Sequence, residues 1–166
     1  MSPTPADRSP AQHDRRYATS EIRESLRQLR IQLSELNYRV GSQLELRDVD
    51  LDSLDIIDVY GPLSPSALAR RAGIHPATMT GVLDRLERGG WITRERDPHD
   101  RRAVLLKPAR DRSAELMRRY APMNRAMNRL LTTYTDKQLE TIADFLKRTV
   151  EAGRAATDEL AATPSS

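Results

Sequence analysis

The side chains with the most evident chemistry lie between Ala77 and Arg102. Ala77, Thr78, Thr80, Gly81, Asp84, Arg85 and Arg88 fall on one side of an amphipathic pattern whose other side is Met79, Val82, Leu83 and Leu86. Small and hydroxyl side chains let a helix backbone approach a groove closely, and arginine reaches phosphates or base edges. A few residues on, the loop Asp97-Pro98-His99-Asp100-Arg101-Arg102 brings two adjacent guanidinium groups to a hairpin tip. A guanidinium is well matched to the narrow, electronegative minor groove of duplex DNA. The charge distribution agrees. The chain of 166 residues carries a net charge of only +3, yet residues 61–107 hold nine Lys/Arg against five Asp/Glu.

Other chemistries find little support. There is no cysteine, which excludes disulfides, thiolate metal sites and thiol redox switching. The three histidines, His13, His75 and His99, show no ligand spacing, so no metal or other cofactor is expected. No Ser/His/Asp arrangement, P-loop or dinucleotide-binding glycine pattern occurs, which argues against an enzyme. The aspartate run between residues 48 and 58 reads more simply as a solvated helix face, its first members complementing the helix dipole, than as paired catalytic carboxylates.

The elements that must position the basic loop follow from local signals. Ser64 is a good N-cap and Pro65 a good first helical residue, predicting a helix to Ala72 that buries Leu68, Ala69 and Ala72. Gly73 makes a tight turn, Ile74 plugs the angle, and a second helix starts at Pro76 and stops at Gly89-Gly90. Trp91–Arg96 and Ala103–Lys107 form a two-stranded hairpin around the basic loop. A helix, a glycine turn, a second helix and a hairpin with a basic tip is the layout of a winged helix-turn-helix. With a shorter preceding helix, Arg47–Tyr60, it spans residues 47–107. Leu51, Leu54, Ile57 and Val59 of that helix are expected to face inward.

Long helices flank this head. From Ser20 to Leu46, apolar residues step 4, 3, 4, 3, 4 through Ile22, Leu26, Leu29, Leu33, Leu36 and Val40. Leu116, Tyr120, Met123, Met127, Leu130 and Tyr134 repeat the same steps within 109–160, where a last helix carries Leu139, Ile142, Leu146 and Val150. Seams this regular favour burial against a partner helix, so 20–46 and 109–160 are read as a dimerisation region. The proline-rich arm 1–19 and the tail 161–166 are expected to be disordered and frayed. No apolar stretch suggests a signal peptide or a membrane span, and the expected location is cytoplasmic. The fold class is mainly α with a small antiparallel β-wing, the winged head embedded in an α-helical dimerisation domain.

Three segments carry a family resemblance: Leu63–Ala69 (LSPSALA), Thr78–Glu87 (TMTGVLDRLE) and, above all, Arg96–Leu106 (RDPHDRRAVLL). In order and spacing the chain resembles the MarR family of bacterial transcription regulators over residues 20–160. The resemblance implies a homodimer that binds double-stranded DNA at a pseudo-palindromic operator, usually as a repressor. It also implies release by a small aromatic or anionic effector held between head and dimer domain. Arg102 matches the wing arginine that enters the minor groove, beside Arg101, and Asp100 matches its buttress. Ser64, Ser66, Thr78 and Arg85 match positions near the phosphate backbone, while Ala77, Thr80 and Gly81 match the base-facing side. His75 and Arg94 complete the candidate DNA-binding set, and Asn37, Tyr38 and Tyr60 are candidate borders of the effector crevice. Gly81 stands where many members carry arginine, and His75 where a capping Ser or Asp is usual. Two other readings stay open on the residues alone: a winged helix used as a protein-interaction module, and a sequence-independent architectural DNA binder.

Overall fold

The structure is a computed structural model that describes residues 10–98, 100 and 103–162, with side chains from residue 14 onward. Among the described residues, six helices and one hairpin follow in the order α1 (Pro10–Leu44), α2 (Asp48–Tyr60), α3 (Pro65–Ala72), α4 (Pro76–Arg88), β1 (Ile92–Arg96), β2 (Val104–Pro108), α5 (Arg110–Leu131) and α6 (Asp136–Ala162). The chain forms two compact units, and the boundary between them, at Arg119/Tyr120, lies inside α5. No helix among the described residues is long and apolar enough to cross a membrane.

The first unit is built around α2, α3 and α4. Leu51, Leu54 and Ile57 of α2 bury against Leu68 and Ala69 of α3 and Met79, Val82, Leu83 and Leu86 of α4. Trp91, Ile92 and Leu106 seal this core from the hairpin, and Val40 and Leu116 from α1 and α5. Strands β1 and β2 pair antiparallel with Arg94 opposite Leu106. Leu63 adds a short bridge to Leu106, which ties the entry of α3 to the hairpin.

Two glycines make this arrangement possible. Gly73, at φ +66°, ends α3 in the left-handed region, where a side chain would be strained. It returns its N–H to the last turn of α3 and sends the chain straight into α4. Gly41 is needed for a different reason. The Leu46 N–H reaches back to the Gly41 carbonyl at 2.9 Å, closing α1, and a Cβ at Gly41 would lie 2.7 Å from the Leu46 oxygen. Only a bare backbone lets the α1–α2 connection fold so tightly.

Several boundaries differ from the sequence expectation. Helix α1 begins at Pro10, so the segment 10–19, expected to be unstructured, is helical. Residues 14–25 all lie in contact with solvent, so this first part rests on local helix formation more than on burial. Ala161 and Ala162, expected in the tail, belong to α6. Residues 1–9 of the arm and 163–166 of the tail lie outside the described residues. Val59 does not face inward; it is 69% exposed, because the inward stripe of α2 ends with Ile57.

The second unit consists of the remainder of α5 and α6. Its apolar residues are largely uncovered: Leu130, Phe145, Leu146 and Val150 are all exposed.

The uneven burial gives a stability prediction. Leu86→Ala should lower the unfolding free energy by about 2–5 kcal/mol, whereas Val59→Ser should change it by no more than about 0.5 kcal/mol. Urea unfolding followed by circular dichroism measures both, and similar losses from the two substitutions would contradict the described core.

Candidate nucleic-acid interface

The second helix of the helix-turn-helix, α4, presents two faces. Met79, Val82, Leu83 and Leu86 are buried. Ala77, Thr78, Thr80 and Arg88 are exposed, and Gly81 is half-buried. The N-terminus is capped by His75, whose Nδ1 accepts the Ala77 N–H at 3.3 Å. The imidazole therefore has a structural role that its exposed position concealed. Ser64 does the same for α3, its Oγ accepting the Ala67 N–H at 3.2 Å while lying 3.1 Å from Ser66 Oγ. The Thr80 hydroxyl donates to the Pro76 carbonyl at 3.1 Å. These hydroxyl groups stay at the surface but are preorganised by backbone contacts.

The arginines are less free than the sequence suggests. Arg85, expected at the phosphate backbone, turns toward α2. Its Nη2 lies 2.7 Å from Asp50 Oδ1 and its Nε 3.4 Å from Asp50 Oδ2, while Nη1 donates to the Gly81 carbonyl at 3.1 Å. Asp50 is only 2% exposed and also accepts the Arg47 N–H. Sequence reasoning missed this pair. It treated the aspartates at the start of α2 as one solvated group, and 35 residues separate the partners. Asp50 alone of that run is buried. Its spacing of three from the N-cap position, where a carboxylate reaches back to the N-cap N–H, was the available signal.

Arg94 is also committed. It bonds Glu87 at 2.8 Å and Asp84 at 3.3 Å, fastening β1 to α4. Among the described residues Arg88, at the last turn of α4, makes no ion pair. The turn that starts the wing is closed by the Asp97 N–H on the Ala103 carbonyl and the Ala103 N–H on the Asp100 carbonyl. Asp100 is exposed at the tip; His99, Arg101 and Arg102 lie outside the described residues. The root of the wing is held by Arg112, whose guanidinium stacks 4.1 Å from the Trp91 ring centroid and donates to the Gly89 carbonyl at 3.1 Å.

The three candidate crevice residues do not line the cavity described below. Tyr38 is 67% exposed, Asn37 is half-buried, and the Tyr60 ring carries Arg71 at 4.3 Å. A cavity of about 50 Å³ lies instead between α2, the wing root and the start of α5. Leu54, Trp91, Leu116 and Met117 form its apolar walls, with Asp55 and Asp58 at its rim. Partial desolvation at the cavity rim raises the Asp55 carboxyl above its ordinary value, and Asp52 and Asp58 push it further. Asp52 is raised by burial and by Asp48.

A raised carboxyl means that the folded chain binds this proton more readily than the unfolded chain. Stability is then lost as pH rises from 3.8 through the raised value. Asp55→Asn should therefore have a higher unfolding midpoint than wild type at neutral pH, with the gap closing below pH 3.8. Thermal unfolding across this range checks the sign, and a lower midpoint for the variant at neutral pH would refute it.

A sequence profile of the MarR family matches residues 48–104, the span from α2 into β2. The HTH-type transcriptional regulator YcgE of Bacillus subtilis is 32% identical over 108 residues, covering 65% of this chain and 70% of the relative. The HTH-type regulator ML2140 of Mycobacterium leprae is 32% identical over 124 residues, covering 68% and 86%. Among solved structures, a variant of S. aureus MepR bound to an oligodeoxyribonucleotide superposes with a TM-score of 0.52 at 16% identity, covering 79% of this chain and 96% of that one. Likeness at that identity speaks for the fold. Together with the profile and the curated relatives, it identifies the chain as a member of the MarR family of winged-helix, DNA-binding transcriptional regulators, which are not enzymes.

Proposed function

We propose that the chain acts as a homodimer on a pseudo-palindromic operator in duplex DNA, represses transcription there, and is released by a small ligand. The observation that carries this reading is the division of α4. One face is wholly buried, and the other is bare of bulky side chains and adjoins a basic wing. Such a helix can lie deep in a major groove, with hydroxyl groups and Arg88 near phosphates, while Arg101 and Arg102 reach the flanking minor groove. The MepR complex with an oligodeoxyribonucleotide supports carrying DNA binding over to this chain.

A second copy accounts for the exposed heptad seams. Ile22, Leu29 and Leu33 on α1, and Leu130, Leu146 and Val150 toward the C-terminus, are apolar and uncovered in the single chain. Pairing them would hold two recognition helices roughly 34 Å apart, one turn of DNA. An effector bordered by Asn37, Tyr38 and Tyr60 would lie apart from the cavity of about 50 Å³ beside Trp91, which is smaller than an aromatic ring requires.

Two experiments test the reading. Duplexes selected by the protein from a random pool should be bound with an affinity that falls steeply between low and moderate salt, and Arg102→Ala should weaken that binding by about 1–3 kcal/mol. Unchanged binding would remove Arg102 from the interface. Sedimentation should find wild type as a dimer, with Leu29→Asp/Leu33→Asp shifted toward monomer; a monomeric wild type would overturn the dimer.

A further inference from the structure

We propose, on the reading of this chain as a DNA-binding regulator, that Asp50 is a positioning residue for DNA recognition. It acts through Arg85, which serves as a strut for the recognition helix and not as a phosphate ligand.

Three observations lead there. The Asp50 carboxylate is almost completely buried at the start of α2, yet it points both oxygens at a side chain of α4. The contact is two-pronged, with Nη2 at 2.7 Å and Nε at 3.4 Å, a geometry that fixes direction as well as distance. The third prong, Nη1 to the Gly81 carbonyl at 3.1 Å, binds the same guanidinium to its own helix one turn earlier. Arg85 is thereby held on three sides, and α4 is fixed against α2 in rotation about its axis. A purely apolar contact between two helices resists such a roll less, because dispersion has little direction.

Charge points the same way. A carboxylate at hydrogen-bond distance cancels most of the field of the guanidinium, so Arg85 offers a nearby phosphate little net charge. Three of its five N–H groups are already committed. Gly81 belongs to the same unit. It is helical, and a Cβ placed there would meet only Arg85 Nη1, at 3.9 Å. Nothing within the fold requires glycine at this position. The missing side chain instead leaves the surface above the strut bare, where DNA backbone or bases would approach.

The strut and phosphate-ligand readings predict opposite results for one substitution. Asp50→Asn keeps the shape, and its amide oxygen can still accept the Arg47 N–H, but it loses the charge that holds Arg85. If Asp50 positions the helix, Asp50→Asn lowers the preference for a selected duplex over a random-sequence duplex by about tenfold, the size of one lost base contact. Affinity for the random duplex, and the slope of log K against log salt, stay as in wild type. Arg85→Gln does the same, and the Asp50→Asn/Arg85→Gln double variant is no worse than either single one, because all three break one contact.

If Arg85 is a phosphate ligand, Asp50→Asn releases it and tightens binding to both duplexes, and Arg85→Gln lowers the salt slope by about one. Either result overturns the proposal, as does full sequence preference in the double variant. Arg85→Gln alone leaves a buried carboxylate unpaired and risks unfolding. The double variant, which leaves no such charge, keeps the comparison decisive if circular dichroism shows the single one unfolded. A wild-type chain with no preference between the two duplexes would reject the sequence-specific operator reading itself before any variant is compared.

Discussion

A buried carboxylate must have its oxygens satisfied, and meeting that requirement at Asp50 shapes the reading head. Water is excluded at this position, so the polar partners have to come from the chain. One is the N–H that opens α2; the other is the guanidinium of Arg85 in the last turn of α4. The same contact therefore starts one helix and orients another. Around it, Leu51, Ile57, Leu68, Met79 and Leu86 supply the apolar burial that provides most of the driving force for folding. Burial of that kind decides which faces turn inward, and the ion pair adds direction.

The remaining polar contacts extend this division of labour to the wing. Arg94 links β1 to Asp84 and Glu87, and Arg112 links the start of α5 to Trp91 and to the end of α4. Of Asp84, Arg85, Glu87, Arg88, Arg94 and Arg112, all but Arg88 are thus spent on holding geometry. Little charge remains to be offered outward, which agrees with the modest net charge of +3. A head of this kind would rely on shape and on the arginines of the wing loop more than on a dense array of basic side chains.

The helix-turn-helix, the hairpin and the core stripe of α4 were legible from the sequence because each depends on local signals. These are a Ser-Pro start, a glycine turn, apolar spacing and a glycine stop, and they agree with one another over residues 64–106. The partners of the arginines were not legible. Whether Arg85 faces solvent or Asp50 depends on how α2 packs on α4, and no spacing within either helix reports that. His75, placed where a capping Ser or Asp is usual, does cap α4, although an imidazole that caps a helix and one that simply sits in a loop have the same neighbours in sequence. The start of α1 was missed because residues 10–19 lack the apolar spacing that signalled the rest of the helix, and helix without burial leaves no such trace. Asn37, Tyr38 and Tyr60 were chosen for their amphipathic chemistry, whereas the cavity is lined by residues from three separate elements.

Trp91 stands at the junction of almost everything described. Its indole is buried at the root of the wing, beneath a guanidinium from α5, beside the last turn of α4 and on the wall of the cavity. It is also the single tryptophan in the chain. The protein consequently carries an intrinsic optical probe at one defined place. Its emission answers to the local dielectric and to the cation above the ring, without any label to disturb the fold. Motion of the wing against the recognition helix, filling of the neighbouring cavity and withdrawal of Arg112 would all be registered by one chromophore, in the native chain and in real time.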